Sequence, residues 1–375
     1  MSDFYRYYDI DMGVQIVISD LLSRITEESL QKPSAYIEII DTDDTVISIS
    51  TCTDFRVSTS IGDGYGEFNC TLKSGSSWNL LGAAEKLKME PDLRRRVNIY
   101  YGQLIEGSYI YEQIFTGIPF FRPESYQHGS LDQIVLRGYS PCWILNRTDG
   151  AYSSPNFTGT SKELIEYWLV KAGLSYYVDY TDIISMDDEP VSYTTMVAGI
   201  GSLVYAHGPR VQYWANFDGS FNVLSLPTLE SEIYGSDIEY TEDNMKTINP
   251  DFDGGSVITN TVVTGSGEIS TELQASNDMI LQYGINSDYV SSALIDSQSD
   301  ADSIAADVLL FGKRYINNRT ITMTLNPYLK VGQVLDVSDN VLSGISGDKI
   351  LVESVAHVFR AGSIHESEIA GYKLL

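Results

Sequence analysis

From Thr320 to Leu325 apolar residues (Ile321, Met323, Leu325) alternate with threonines (Thr320, Thr322, Thr324). This is the period of a strand with one face in a core and the other in water. Asn326-Pro327 ends that ladder because proline has no N–H to give, and Val331-Gly332 turns the chain into a second strand, Gln333 to Val337. After a Gly/Ser/Asp loop from Leu342 to Asp348, apolar residues occupy both faces of Lys349 to Arg360: Ile350, Val352, Ala356 and Val358 on one, Leu351, Val355 and Phe359 on the other. That strand should be covered on both sides. Ala361-Gly362-Ser363 closes a tight hairpin onto Ile364 to Leu374.

Strand patterns recur upstream at Ala35 to Ile40, Val46 to Ser50, Phe55 to Ser60, Phe68 to Leu72, Val97 to Gly102, Tyr111 to Gly117 and Ile134 to Tyr139, the last leading to Trp143-Ile144-Leu145. The clearest hairpin joins Val211–Phe217 to Ser220–Leu226 through Asp218-Gly219, which predicts a two-residue type I′ turn with positive φ at both positions. Helical spacing marks four stretches. Val14, Val17, Ile18, Leu21, Leu22 and Ile25 form one stripe, and a short segment from Leu80 to Leu87 is a second. Thr160-x-x-Glu163 is a capping box ahead of Leu164, Ile165, Trp168, Leu169 and Ala172, with a stop at Gly173. Ala301, Ile304, Ala305, Val308, Leu309, Gly312 and Tyr315 line a helix starting near Ser297 or Ser299, expected to cover a β wall. The pattern gives a mainly β fold with smaller α+β parts.

The order threonine-rich strand, Asn-Pro-x-Leu-x-x-Gly, strand, loop, Val-Glu-Ser-Val-x-His, glycine turn, final strand resembles the tail hub (baseplate hub) family of tailed phages and related contractile injection systems. Asn326, Pro327, Leu329, Gly332, Val352, Glu353, Ser354, Val355, His357 and Gly362 carry the likeness. Upstream, Phe115, Thr116, Gly117, Leu136 and Leu145 resemble the family's first tube domain, Asp218-Gly219 its return hairpin, and Val257 to Gly265 the strand that opens its second tube domain. The resemblance implies two tube-type antiparallel β-barrel modules plus an inserted helix-containing domain. The corresponding division is an N-terminal helical segment (1–32), a first β module (33–147), an inserted α/β domain (148–206), a hairpin with an acidic connector (207–253) and a second β module with its covering helix (254–375). It also implies a homotrimer in the virion, at the distal end of the tail, made in the host cytoplasm. Its ring would continue the tail tube, adapt sixfold to threefold symmetry and let DNA pass. Expected partners are the tail tube protein, tip, spike or fibre proteins and the tape measure protein.

Charge narrows the alternatives. Across 375 residues, 24 basic and 51 acidic side chains leave a net charge of −27, which opposes a protein that grips nucleic acid by counterion release. Acidic positions near the N-terminus (Asp3, Asp9, Asp11) do not suit a signal peptide, and no apolar run reaches spanning length, so a soluble chain without stable membrane insertion is expected. Cys52, Cys70 and Cys142 are expected as buried thiols, with a Cys52–Cys70 bridge the minor alternative. The four histidines (His128, His207, His357, His365) show no metal-ligand spacing and no nucleophile elbow, with His357 and His365 expected to face each other across the last hairpin. Gly62, Gly64 and Gly66 form a hairpin tip rather than a phosphate cradle. Arg94-Arg95-Arg96 is a guarded strand edge, and Asp187-Asp188-Glu189-Pro190 a solvated loop rather than a calcium site. No catalytic residue, cofactor or metal site is therefore expected. The rival class, a carbohydrate-active or receptor-binding β protein, rests on the 26 tyrosines and four tryptophans.

Overall fold

A computed structural model describes residues 33–41, 44, 46–74, 95–105, 108–119, 124–128, 131–147, 152–233, 238–241, 245–251, 253–339 and 345–375. The N-terminal stripe, the Leu80 to Leu87 stretch, Arg94 and much of the Asp41 to Asp44 turn lie outside them.

The first part of the chain supplies β1 (Ser34–Ile40), β2 (Val46–Ser60), β3 (Glu67–Ser74), β4 (Arg96–Ile105), β5 (Ser108–Pro119), β6 (Glu124–His128) and β7 (Leu131–Tyr139). Hydrogen bonding runs β1-β4-β5-β7-β3-β2 and returns to β1, a closed ring of six antiparallel strands, with β6 paired on β7. Alternation places Phe55, Val57, Phe68, Cys70, Ile99 and Leu136 inside.

Next come β8 (Tyr152–Thr160), α1 (Ser161–Ala172), β9 (Tyr176–Asp179), β10 (Ser185–Tyr193), α2 (Met196–Ala206), β11 (Val211–Ala215) and β12 (Phe221–Ser225). The capping box of α1 is formed: Thr160 Oγ1 accepts the Glu163 N–H at 3.3 Å, Glu163 Oε2 accepts the Thr160 N–H at 2.9 Å, and Gly173 stops the helix at φ 71°. Asp187 to Pro190, expected in a loop, lie within β10.

The remainder is β13 (Ile238–Thr241), β14 (Met245–Asp251), β15 (Asn260–Thr264), β16 (Ser270–Gln274), α3 (Asn277–Tyr283), β17 (Ser287–Ser291), α4 (Gln298–Gly312), β18 (Asn318–Thr324), β19 (Val334–Asp339), β20 (Ile345–Arg360) and β21 (Ile364–Lys373). The acidic connector thus carries two strands: β14 pairs with β18 and β13 runs parallel to β19. The segment from Val257 to Gly265 does not open the second β module as expected. Its strand, β15, belongs to a separate sheet with β16 and β17. The stripe of α4 packs Ala301, Ile304, Ala305 and Val308 on Val263 and Val290 of that small sheet rather than on a barrel wall. Only Phe311, near its end, reaches the main core, where its ring meets Tyr372 at 6.2 Å. β20 begins at Ile345, inside the expected loop, because Asp339 and Ile345 already pair.

The order β14-β18-β21-β20-β19 repeats β2-β3-β7-β5-β4, with the same alternation of direction. Details recur too. A register shift falls between Cys52 and Asp54 where β2 meets β3, and between Met245 and Thr247 where β14 meets β18. Gly138 faces Pro119 and Gly371 faces Val352, and a Cβ on either glycine would stand 2.0 Å from the Ile118 carbonyl oxygen or 2.3 Å from that of Leu351. Each glycine precedes a tyrosine, Tyr139 or Tyr372. The first position breaks the pattern: β1 is antiparallel to β4, whereas β13 is parallel to β19.

Candidate functional site

The two strand systems meet at β2 and β20, paired antiparallel from Asp54–Arg360 to Ser60–Ser354, so thirteen strands form one sheet. The ladder extends at both ends through Ile61 N–H to the Glu353 carbonyl (2.8 Å) and Ala361 N–H to the Thr53 carbonyl (2.8 Å). Beneath it a single core runs from Ala35 to Leu374.

The β11–β12 hairpin is driven into this junction. Its tip differs from the expected two-residue turn: Gly219 N–H bonds the Asn216 carbonyl (3.1 Å), Asn216 N–H bonds the Ser220 carbonyl (2.8 Å), and Gly219 alone takes positive φ, at 84°. That is a three-residue connection with a left-handed glycine, and it frees Phe217 to point into the protein. Phe217 is 6% exposed, its ring 6.1 Å from Phe115 of the first module and 4.9 Å from His357 of the second. Thr116 N–H donates to the Phe217 carbonyl (2.8 Å), Gly62 N–H to that of Tyr213 (2.7 Å), and Ala215 N–H to that of Asp63 (3.3 Å). Asp218 Oδ1 accepts the Ser220 N–H at 2.9 Å. A Cβ on Gly219 would sit 3.0 Å from the Pro141 ring, so Gly219→Val combines left-handed strain with crowding. We expect a loss of about 1–3 kcal/mol, read as a lower urea midpoint.

The positions that carried the resemblance converge here. Phe115, Thr116 and Gly117 end β5, and a Cβ on Gly117 would lie 2.5 Å from Phe68. Asn326 and Pro327 open a turn in which Leu329 N–H bonds the Asn326 carbonyl (3.3 Å) and Tyr328 N–H bonds Asn326 Oδ1 (3.0 Å). Gly332, at φ 84°, gives its N–H to the Val352 carbonyl (2.9 Å) and lies under Trp214, whose ring a Cβ would approach to 2.7 Å. Glu353 Oε1 pairs with Arg314 at 3.1 Å, and burial raises its pKa against that pairing. Ser354 is on the other face, in a shallow trough of about 300 Å³ with Arg56, Ser58, Ser60, Thr320 and Glu368.

His357 lies opposite Ser367, not His365, and is fully buried. Ser367 Oγ accepts the Asn326 N–H (3.0 Å) and stands 2.9 Å from His357 Nδ1. Burial pushes the imidazole from 6.5 down to about 3, the Leu329 carbonyl offsetting part of that. The unfolded chain therefore binds a proton below pH 6.5 that the fold refuses until about pH 3, so stability is full above 6.5 and falls as the pH drops. Between pH 6.5 and 5 this amounts to about 2 kcal/mol. His365 titrates in the same direction. Urea unfolding across that range, with His357→Gln as a flatter control, checks it.

No protein-family model and no curated protein sequence matches the chain. Solved structures do. The 43 kDa tail protein of prophage MuSo2 from Shewanella oneidensis superposes with a TM-score of 0.61 at 14% identity, covering 91% of this chain and 98% of that one. The tail protein from Neisseria meningitidis MC58 gives 0.63 at 10% identity, covering 91% and 96%. A chain of the Francisella PdpA–VgrG complex gives 0.56 at 12% identity over 97% of this chain and 56% of that one. This chain has the fold of phage tail proteins.

Within this tail-protein fold the inserted domain assembles a polar cluster that sequence spacing did not reveal. Ser161 Oγ is 2.8 Å from His207 Nε2, 2.9 Å from the Tyr180 hydroxyl and 2.9 Å from Asp182 Oδ1. Burial would raise the Asp182 pKa, but His207, the Lys162 and Ile184 N–H groups and Ser161 hold it down to about 2. A nucleophile relay needs the base to separate serine from carboxylate, with the serine open to substrate. Here one nitrogen, Nε2, faces both, at 2.8 Å from Ser161 and 3.4 Å from Asp182, and Ser161 is 0% exposed. The cluster locks the start of α1 to the end of α2. Among the described residues no group of three His, Cys, Asp or Glu side chains has metal-binding geometry. Cys52, Cys70 and Cys142 are buried free thiols.

Proposed function

We propose that this chain is a structural, non-enzymatic tail hub: three copies form a ring at the distal end of a virion tail or related injection device. One observation carries the reading. Two strand systems of like order, bulge and glycine placement are joined edge to edge within one chain, so three chains would present six like units to a sixfold tube and three to a threefold tip. The tail proteins that share the fold support it, and the VgrG complex among them favours spike or tip proteins as partners beside the tail tube and tape measure proteins. DNA passage fits the exposed face of β2, β20, β21, β18 and β14. It presents hydroxyls, and Arg56 and Lys246 each engage a carboxylate, Glu368 and Glu366, at 2.9 Å. With a net charge of −27 per copy, a phosphate strand gains little by counterion release there.

Native mass spectrometry and projection images of the purified protein test this. A mass of three subunits and a ring are expected, and a monomer at every concentration sinks the proposal. A carbohydrate-binding alternative draws on a tyrosine ladder across β1, β4 and β5, exposed at Tyr109 and Tyr111 and half-buried at Tyr36 and Tyr100, in which Tyr36 stacks on Tyr100 (4.6 Å) and meets Tyr111 edge-on (4.9 Å), while Tyr111 stacks on Tyr109 (5.8 Å). Glycan binding abolished by Tyr109→Ala would favour it.

A further inference from the structure

Among the described residues the repeated architecture leaves two strand edges unpaired, and they correspond to the two edges joined inside the chain. β2 carries β3 on one side and, from Asp54 to Ser60, β20 on the other. Its counterpart β14 carries β18 on one side, and among the described residues nothing pairs with its other edge. The stretch of β20 that receives β2 is hairpinned to β21, and the matching stretch of the first module is β6, hairpinned to β7. Among the described residues the far edge of β6 is also unpaired. Open edges of this kind are normally paired, covered or blunted.

We propose that β14 of one copy adds to the open edge of β6 of a second copy, in the register that β2 and β20 show within the chain. This rests on the ring reading above and names the contact that would build the ring. The bulges align Asp54, Arg56 and Ser58 with Thr247, Asn249 and Asp251. The glycines at 138 and 371 align Ala356, Val358 and Arg360 with Glu124, Tyr126 and His128. Because Asp54 faces Arg360, Arg56 faces Val358 and Ser58 faces Ala356, the junction between copies sets Thr247 opposite His128, Asn249 opposite Tyr126 and Asp251 opposite Glu124.

Two features make this contact weaker than the internal one and keep it selective. The odd-numbered residues of β2 exchange the ladder bonds with β20, as the Thr53–Ala361 and Ile61–Glu353 bonds show, so Val57 offers its N–H to that edge. Its counterpart is Pro250, which has none, and the ladder between copies is one bond short. Asp251 and Glu124 would be like charges directly opposed, so screening salt strengthens the association.

Disulfide trapping reads the register. Asn249 and Tyr126 would form a non-hydrogen-bonded pair, whose Cα separation of about 4.5 Å suits a cross-strand disulfide. The native cysteines are buried and do not compete. In the N249C/Y126C protein, mild oxidation should give covalent oligomers that reductant dissolves. Arg56→Cys with Val358→Cys should bridge within one chain. The slipped pair Asn249→Cys with Gln127→Cys should not bridge, since neighbouring positions point to opposite faces. Asp251→Ser should shift association to lower salt. A native mass of three subunits without a disulfide in N249C/Y126C overturns this contact and leaves the ring reading standing. A monomer at all concentrations and salts overturns both.

Discussion

Gly138→Val and Gly371→Val should each destabilise the protein by about 3 kcal/mol or more, the upper end for overpacking. Ordinary overpacking is absorbed by side chains that rotate away, but here the obstacle is main chain: the Ile118 oxygen would lie 2.0 Å from a Cβ at 138, and the Leu351 oxygen 2.3 Å from one at 371. Relief requires the strands to separate where β7 crosses from β3 to β5, or β21 from β18 to β20. Gly255→Ala is the control. Its nearest neighbour would be Asp253 Oδ1 at 3.5 Å, and a change within about 0.5 kcal/mol is expected. Urea denaturation of the three variants checks this, and near-equal losses at 138 and 371 would show that the repeat is energetic as well as topological. A loss below about 1 kcal/mol at either site would mean that the two backbones do not meet there.

Trp214→Ala should cost about 3–5 kcal/mol, the range for emptying a buried aromatic site. Trp214 is 1% exposed, closes over Gly332 of the second module, and donates Nε1–H to Asn216 Oδ1 at 3.0 Å, holding the tip that delivers Phe217. Collapse cannot fill the gap easily, because Gly332 has no side chain to move and its own N–H is committed to Val352. Both modules should therefore loosen together. Hydrogen exchange would show this as faster exchange on β5 and β20 alike, whereas a hairpin that merely decorates the surface would lose protection only at β11 and β12.

The order and type of most strands were legible because alternation in a half-buried strand is written residue by residue: Phe55, Val57 and Thr59 inside, Arg56, Ser58 and Ser60 outside. The α1 box and stop were equally local. What failed was partner choice. β15 has a good strand sequence, but alternation does not say which sheet will take it, and a helical stripe such as that of α4 covers any apolar face within reach. The repeat could have been found from Gly138-Tyr139 and Gly371-Tyr372, one pair at the end of each module's last strand. A two-residue signal carries meaning only once register places both glycines against a carbonyl.

By itself the sequence determined the mainly β class, the strand-bearing stretches, the capped helix, and the positions that carried the resemblance, among them Phe115 to Gly117, Asp218-Gly219, Asn326, Gly332 and His357. Their convergence was decided only by tertiary structure. Phe115, Phe217 and His357 are separated by more than a hundred residues at each step, yet Phe217 lies 6.1 Å and 4.9 Å from the other two rings. The pairing of β2 with β20, the burial of His357 and the meeting of Ser161 with His207 likewise depend on long-range closure. The physical reason is that local patterning sets which face of an element is apolar, whereas backbone hydrogen bonds at a strand edge are chemically identical along every strand. Which edges join is settled by the bulges, close-approach glycines and buried aromatic wedges that make one closure fit better than the others.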